Sequence, residues 1–139
     1  MSTEQSAVVV VGVDGSGDSL AALRWADQYA SASGAKIRLV TTWEWAVAYG
    51  APMMFEGYHP DAEARAMLDK ARAELTVPAD RVEVVVREGS PRSVLVEESD
   101  GASALVVGSH GHSAVSRALL GSVSAHCVQH ASCPVIVVR

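Results

Sequence analysis

Unbroken apolar runs alternate with stripes of helical period along this chain. The first run, AVVVVGVD, is almost wholly β-branched, the pattern of a strand buried on both faces. A loop of small polar residues, DGSGDS, follows it. Leu20, Leu23, Ala26 and Ala30 then share one helical stripe, with Asp18 or Ser19 expected to cap its start and Gly34 to end it. AKIRLVTTW predicts a second strand. EWAVAYGAPMMFEGYH breaks the periodicity as a long irregular connection. A helix is expected from Pro60 and Asp61, with Ala64, Met67, Leu68, Ala71 and Leu75 turned inward and Pro78 beyond its end. RVEVVVREG predicts a third strand, and SPRSVLVEESDG a helix with Ser90 as cap and Pro91 in its first position. SALVVGS, SVSAHCVQHAS and CPVIVVR complete the series as strand, helix and strand. Parallel strands need crossover helices, so this order predicts one parallel sheet covered on both faces. The pattern alone leaves the strand order open.

Composition narrows the picture. The 139 residues fit a single domain, residues 1–139, and 49 % apolar with 19 % charged residues is a globular balance. Net charge is −5 and no Lys/Arg cluster stands out, which argues against a groove that tracks nucleic-acid phosphates. The opening MSTEQSAVVVVGVDG has no basic segment before its short apolar run, and no stretch approaches the ~20 apolar residues of a membrane span. A cytoplasmic protein with no membrane partner is expected, its Cys127 and Cys133 packed as thiols.

The chemistry concentrates in GSHGHSAVSRALLGS, residues 108–122. The spacing Gly108-x2-Gly111-x9-Gly121-Ser122 follows a buried strand and leads into a helix. No Walker lysine and no G-x-G-x-x-G accompany it. Gly108 and Gly111 have no Cβ, so unusual dihedrals and close approach of a ligand to the main chain are open to them. Gly121 and Ser122 stand where free N–H groups and the helix dipole favour an anion. Each glycine taken singly reads as ordinary punctuation.

As a set, these residues make the chain resemble the universal stress protein family in its ATP-binding branch. The glycine pattern, VGVDGS after the first strand, LLGSVS entering the last helix and CPVIVV at the end carry the resemblance, which spans the chain and is weakest between about residues 43 and 80. It implies an α/β fold similar to the Rossmann class: five parallel strands in order 3-2-1-4-5 with helices on both faces. The winding would reverse between strands one and four, where open α/β sheets bind ligands, and would face DGSGDS towards GSHGHS. The resemblance further implies ATP as ligand, with Mg²⁺, and an adenosine end lined by Gly12, Val13 and Asp14. Val40 or Thr41 would offer backbone groups to adenine, and Val107 and Val123 apolar lining beside Gly108, Gly111, Gly121 and Ser122. It implies a homodimer through the last strand, Pro134–Val138, whose apolar edge invites pairing.

Other side chains have two readings each. Asp14 suits a ribose hydroxyl or hydrated Mg²⁺, and equally a turn aspartate bonding its own backbone. Ser16 suits a phosphate or a helix cap. Arg117 reads first as a solvated cation and second as a phosphate contact. His126 and His130 stand four apart with Cys127 and Cys133 close by, but without a C-x2-C pair they read as surface and core residues, and no metal is expected. His110 and His112 flank the glycines; they read first as surface histidines and second as groups whose protonation would tune anion affinity. Residues 43–59 suit a lid, a sheet cover or a partner surface. The functional expectation is a dimeric ATP-binding stress or signalling module. A weak ATPase or phosphotransferase, a cyclic-AMP binder and a nucleotide-free interaction module are the alternatives.

Overall fold

The computed structural model describes residues 7–112 and 119–139. Five parallel strands build the sheet: β1 (Val8–Gly12), β2 (Lys36–Trp43), β5 (Val82–Glu88), β6 (Ala104–Gly108) and β7 (Val135–Val138). Their order is β5-β2-β1-β6-β7. Counted among themselves, they run third, second, first, fourth, fifth. Between β2 and the next helix, β3 (Val47–Ala48) and β4 (Ala51–Pro52) form a separate two-stranded hairpin. Its two turn residues, Tyr49 at φ 53° and Gly50 at φ 77°, are both left-handed, as a tight turn between right-twisted strands requires.

Side-chain alternation splits the core into two layers. Val9, Val11, Ile37, Leu39 and Val106 face α1 (Gly17–Ser33) and α2 (Pro60–Arg72). Val10, Val40, Leu105 and Val107 face α3 (Pro91–Glu98) and α4 (Ser122–His130). Consecutive valines of β1 therefore serve opposite layers, which is why that strand carries no polar residue. Leu68 of α2 is wholly buried, a burial worth about 1.5–3 kcal/mol.

Helix ends differ in part from the sequence expectation. Ser16, not Asp18 or Ser19, caps α1: its Oγ accepts from the Ser19 N–H at 3.2 Å. Asp18 and Ser19 lie inside the first turn, because the chain turns one step earlier. Gly34 ends α1 in the left-handed conformation, as expected. Leu75 falls beyond the end of α2 and packs on the core from the following loop. Ser90 holds the cap position of α3, but its side chain makes no capping bond.

Two long-range clamps fasten α1 to the segment between α2 and β5. Buried Asp27 accepts from Thr76 N–H at 2.9 Å, Thr76 Oγ1–H at 2.8 Å and Val77 N–H at 3.2 Å. Arg81 donates through Nη2 to Ala30 O and, at 2.8 Å, to Ala35 O, placing a cation at the carbonyl end of the α1 dipole.

Candidate functional site

Chain winding reverses between β1 and β6. β1 is followed in the sheet by its neighbour β2 on one side, and β6 by its neighbour β7 on the other. Open α/β sheets bind ligands at such a reversal, beyond the carboxyl ends of the strands. A cleft of about 560 Å³ lies there, within the size range of small-molecule sites.

Glycines form its polar wall, for a reason different from the one the sequence suggested. Gly108, Gly111 and Gly121 all lie outside the left-handed region. Their lack of a side chain matters because other atoms occupy that space. A Cβ on Gly108 would stand 2.6 Å from the Asp18 carbonyl carbon. On Gly111 it would meet Asp14 Oδ2 at 2.7 Å, and on Gly121 the Ser109 carbonyl oxygen at 3.0 Å. These three positions hold the β6 loop, the start of α1 and the start of α4 in mutual contact.

Helix α4 opens onto the cleft. Gly121 is its cap residue and carries no side chain to bond the first-turn amides. Ser122 is exposed and Val123 half-buried at the cleft wall. The first helical bond runs from Ala125 N–H to Gly121 O at 2.9 Å, so the N–H groups of Ser122, Val123 and Ser124 point out of the helix end, the arrangement that receives anions. Ser124 is a residue that the sequence reading missed. Buried, it donates to Ser109 O at 2.9 Å and Gly121 O at 3.1 Å, tying the helix start to the β6 loop.

On the opposite rim Asp14 takes up the turn role. Its Oδ1 accepts from Ser16 N–H at 2.9 Å, its own N–H donates to Ser19 Oγ at 3.3 Å, and its carbonyl accepts from His112 Nε2–H at 2.6 Å. Oδ2 is turned towards Gly111 and the cleft. The turn and ligand readings are thus compatible in one side chain. Ser16 is engaged in capping.

The floor is apolar. Val13 and Val107 are 3 % exposed, and Leu95 packs under Gly12. Val13 N–H donates to Val40 O at 2.9 Å, so the main chain of Val40 is already engaged on the cleft side. Gly12 pairs with Val40 as the last register position of β1, whereas β2 continues beside β5 to Trp43. A strand presents successive peptide groups to alternate sides. Thr41 therefore faces β5, and Thr42 is the next residue to face the side where β1 has stopped. Both Thr41 and Thr42 line the cleft. Trp43, Glu44 and Glu63 line it as well. All eleven residues expected at the site reach this one cleft.

Aromatic rings between residues 43 and 58 form a cluster that joins the cleft through Trp43. Trp43 packs edge-on against Trp45, and Trp45 edge-on against Tyr58, which stacks on Phe55. Tyr49, Met54 and Phe55 are exposed. His126 and His130 lie on the outer face of α4 with rings 4.3 Å apart; desolvation, then His130 and Arg92, lower the His126 pKa. Cys127 is buried in the α3–α4 layer, where desolvation and then Cys133 push its thiol up to about 11. Among the described residues no three His, Cys, Asp or Glu converge for a metal ion, and no helix is long and apolar enough to cross a membrane. Arg117 and the fold of the nine-residue insert fall largely within 113–118, outside the described residues.

The family described as "Universal stress protein family" matches residues 7–139. A curated universal stress protein of Mycobacterium tuberculosis strain H37Rv is 38 % identical over 139 residues, covering 94 % of this chain and 47 % of that protein. The chain thus spans about half the length of the curated relatives it matches. A crystal structure of a universal stress protein in complex with cAMP is 36 % identical, covers 96 % of this chain and 98 % of that one, and superposes with a TM-score of 0.66. The universal stress protein UspA of Lactobacillus plantarum shares the fold at 21 % identity, covering 99 % of this chain and 100 % of that one, with a TM-score of 0.69.

Proposed function

This chain belongs to the universal stress protein family, and we propose that it is an adenine-nucleotide-binding module with ATP as its ligand. One observation carries the reading. Three glycines, each with its missing Cβ position occupied by another part of the chain, line a crevice together with the open amides of α4. An apolar floor for a base and a bare amide rim for phosphates occur in the same cleft. Gly108, Gly111, Gly121 and Ser122 would receive phosphates. Gly12, Val13 and Asp14 would meet the ribose. Val40, Thr41 and Thr42 would border the base, with Val107 and Val123 as apolar walls. Oδ2 of Asp14 faces Gly111, which suits Mg²⁺ held mostly by phosphates and water.

Cyclic AMP is a second ligand, favoured by the complex of the 36 % identical protein. Its single phosphate needs only part of the amide rim. Titration with Mg·ATP and with cyclic AMP, followed by competition, separates the two. Gly121→Val should abolish binding, because the side chain would enter the contact with Ser109 O and reshape the cradle. Undiminished binding by that variant, in folded protein, would refute the site.

A homodimer through β7 completes the reading. Among the described residues that strand pairs only with β6 and leaves its other edge open, and its four valine and isoleucine residues are half-buried. Ligand-dependent ordering near α4 would then signal through the dimer surface in a stress response. Sedimentation with and without nucleotide tests this assembly; a monomer under both conditions refutes it.

A further inference from the structure

Residues 44–58 leave the sheet, and among the described residues neither core layer includes any of them. They carry large apolar side chains all the same. Met53, Met54 and Phe55 are consecutive and all exposed, Met54 at 71 % and Phe55 at 57 %. Val47 and Tyr49 on the hairpin are exposed as well. Apolar side chains standing singly on a surface need no explanation, but a group of them that the fold does not use points to a partner.

The segment is braced from within. Met53 N–H donates to Ala46 O at 2.7 Å, and Tyr58 N–H to Phe55 O at 3.1 Å. Ala46 N–H donates to Tyr58 Oη at 3.2 Å. Tyr58 stacks on Phe55 with ring centroids 4.9 Å apart, and Trp45 packs edge-on against Tyr58. The rings are thus presented in a fixed direction, which lowers the ordering cost of binding.

Charge says what would cover them. Between Arg38 and Arg65 the chain has four acids, Glu44, Glu56, Asp61 and Glu63, and no Lys or Arg. All four are exposed. Glu88, also exposed, stands beside Trp43 in the β2–β5 register. Arg87, opposite Thr42 in the same register, is engaged by Glu97 and Glu98. Apolar rings and methionines surrounded by acids complement apolar side chains surrounded by cations.

We propose that residues 44–58 are a docking surface for a segment of another protein, one that intersperses apolar side chains with Lys and Arg. A second copy of the same hairpin would set acid against acid, and an anionic lipid surface would repel it. β2 and β5 lie towards the opposite side of the sheet from β7, so a dimer through β7 leaves the surface open. The docking surface does not depend on what the cleft binds.

Fluorescence anisotropy with three labelled peptides tests this. The probe is an amphipathic helical peptide of leucine and lysine; the controls are its leucine–glutamate counterpart and oligolysine. Wild type should bind the leucine–lysine peptide at least about tenfold more tightly than either control. Raising salt from about 0.05 M to about 0.5 M should weaken that binding about tenfold. The double variant Met54→Ser, Phe55→Ser should lose about tenfold or more in affinity. It should melt with wild type, because both side chains lie outside the core layers. Failure of wild type to prefer the leucine–lysine peptide, or equal binding by the variant, would overturn the proposal. So would self-association in sedimentation that the variant abolishes, which makes a second copy the occupant. Binding of phosphatidylglycerol vesicles through the same two residues would overturn it in favour of a lipid surface.

Discussion

Gly108→Ala and Gly111→Ala add the same methyl group three residues apart and should give opposite phenotypes. At Gly108 the new carbon meets main chain, the Asp18 carbonyl carbon at 2.6 Å and its oxygen at 2.8 Å. Ordinary contact begins at 3.4 Å, so the first turn of α1 must recede from β6 by about 0.8 Å. Backbone of a capped helix does not yield cheaply. Overpacking of this kind costs about 1–3 kcal/mol, a fall in Tm of about 4–12 °C for a domain of this size. At Gly111 the obstacle is Asp14 Oδ2, the far end of a side chain, at 2.7 Å. A turn of the carboxyl relieves it, so stability should change by no more than about 0.5 kcal/mol. The same movement takes Oδ2 from its place beside the cradle and puts a methyl where phosphate oxygens would lie. Nucleotide affinity should therefore fall about tenfold or more, the loss of a hydrogen bond involving a charged group. Thermal melts and titration calorimetry on both variants read the two effects separately. If Gly108→Ala melts with the wild type, or Gly111→Ala melts as low as Gly108→Ala, the close-approach argument for these glycines is wrong.

Asp27→Ala removes the acceptor of three donors at 2.8–3.2 Å and should lower unfolding free energy by about 1–3 kcal/mol in urea titrations, with Asp27→Asn recovering part of it. Cys127 should resist thiol reagents in the native state while Cys133, half-buried, reacts first; both should react once the protein is unfolded. The Cys127 thiol is raised from 9.0 to about 11 by burial, so the unfolded chain ionises before the folded one. Stability should consequently decline between those pH values, and Cys127→Ala should flatten that decline.

The central strands β1 and β6 were legible because both their faces are covered, and burial of that kind writes itself as an unbroken apolar run, whereas β2 and β5, interrupted by Arg38 and Glu83, were legible only from their β-branched content. The glycine spacing was legible too, since it sits in one short stretch. What escaped depends on contacts between distant residues. Ser109 and Asp18 are 91 positions apart, and Asp27 and Thr76 are 49 apart; nothing local pairs them. Asp14, Ser16, Asp18 and Ser19 all carry a capping oxygen, and only the entry angle of α1 selects Ser16. That Thr42 lines the cleft beside Val40 and Thr41 was missed because the sequence does not tell where β1 stops beside β2. The crowding of the glycines by other parts of the chain was missed for the same reason: a tight neighbour leaves no mark at the residue it crowds.

Val138 ends the edge strand, and its carbonyl holds the amide of Ser109 at 2.7 Å. The outer rim of the sheet and the loop after β6 are thus joined directly by a main-chain hydrogen bond at the end of the β6–β7 ladder. A tug on that rim by anything added alongside it would reach the loop without passing through the interior, and the message would travel equally well in the other direction.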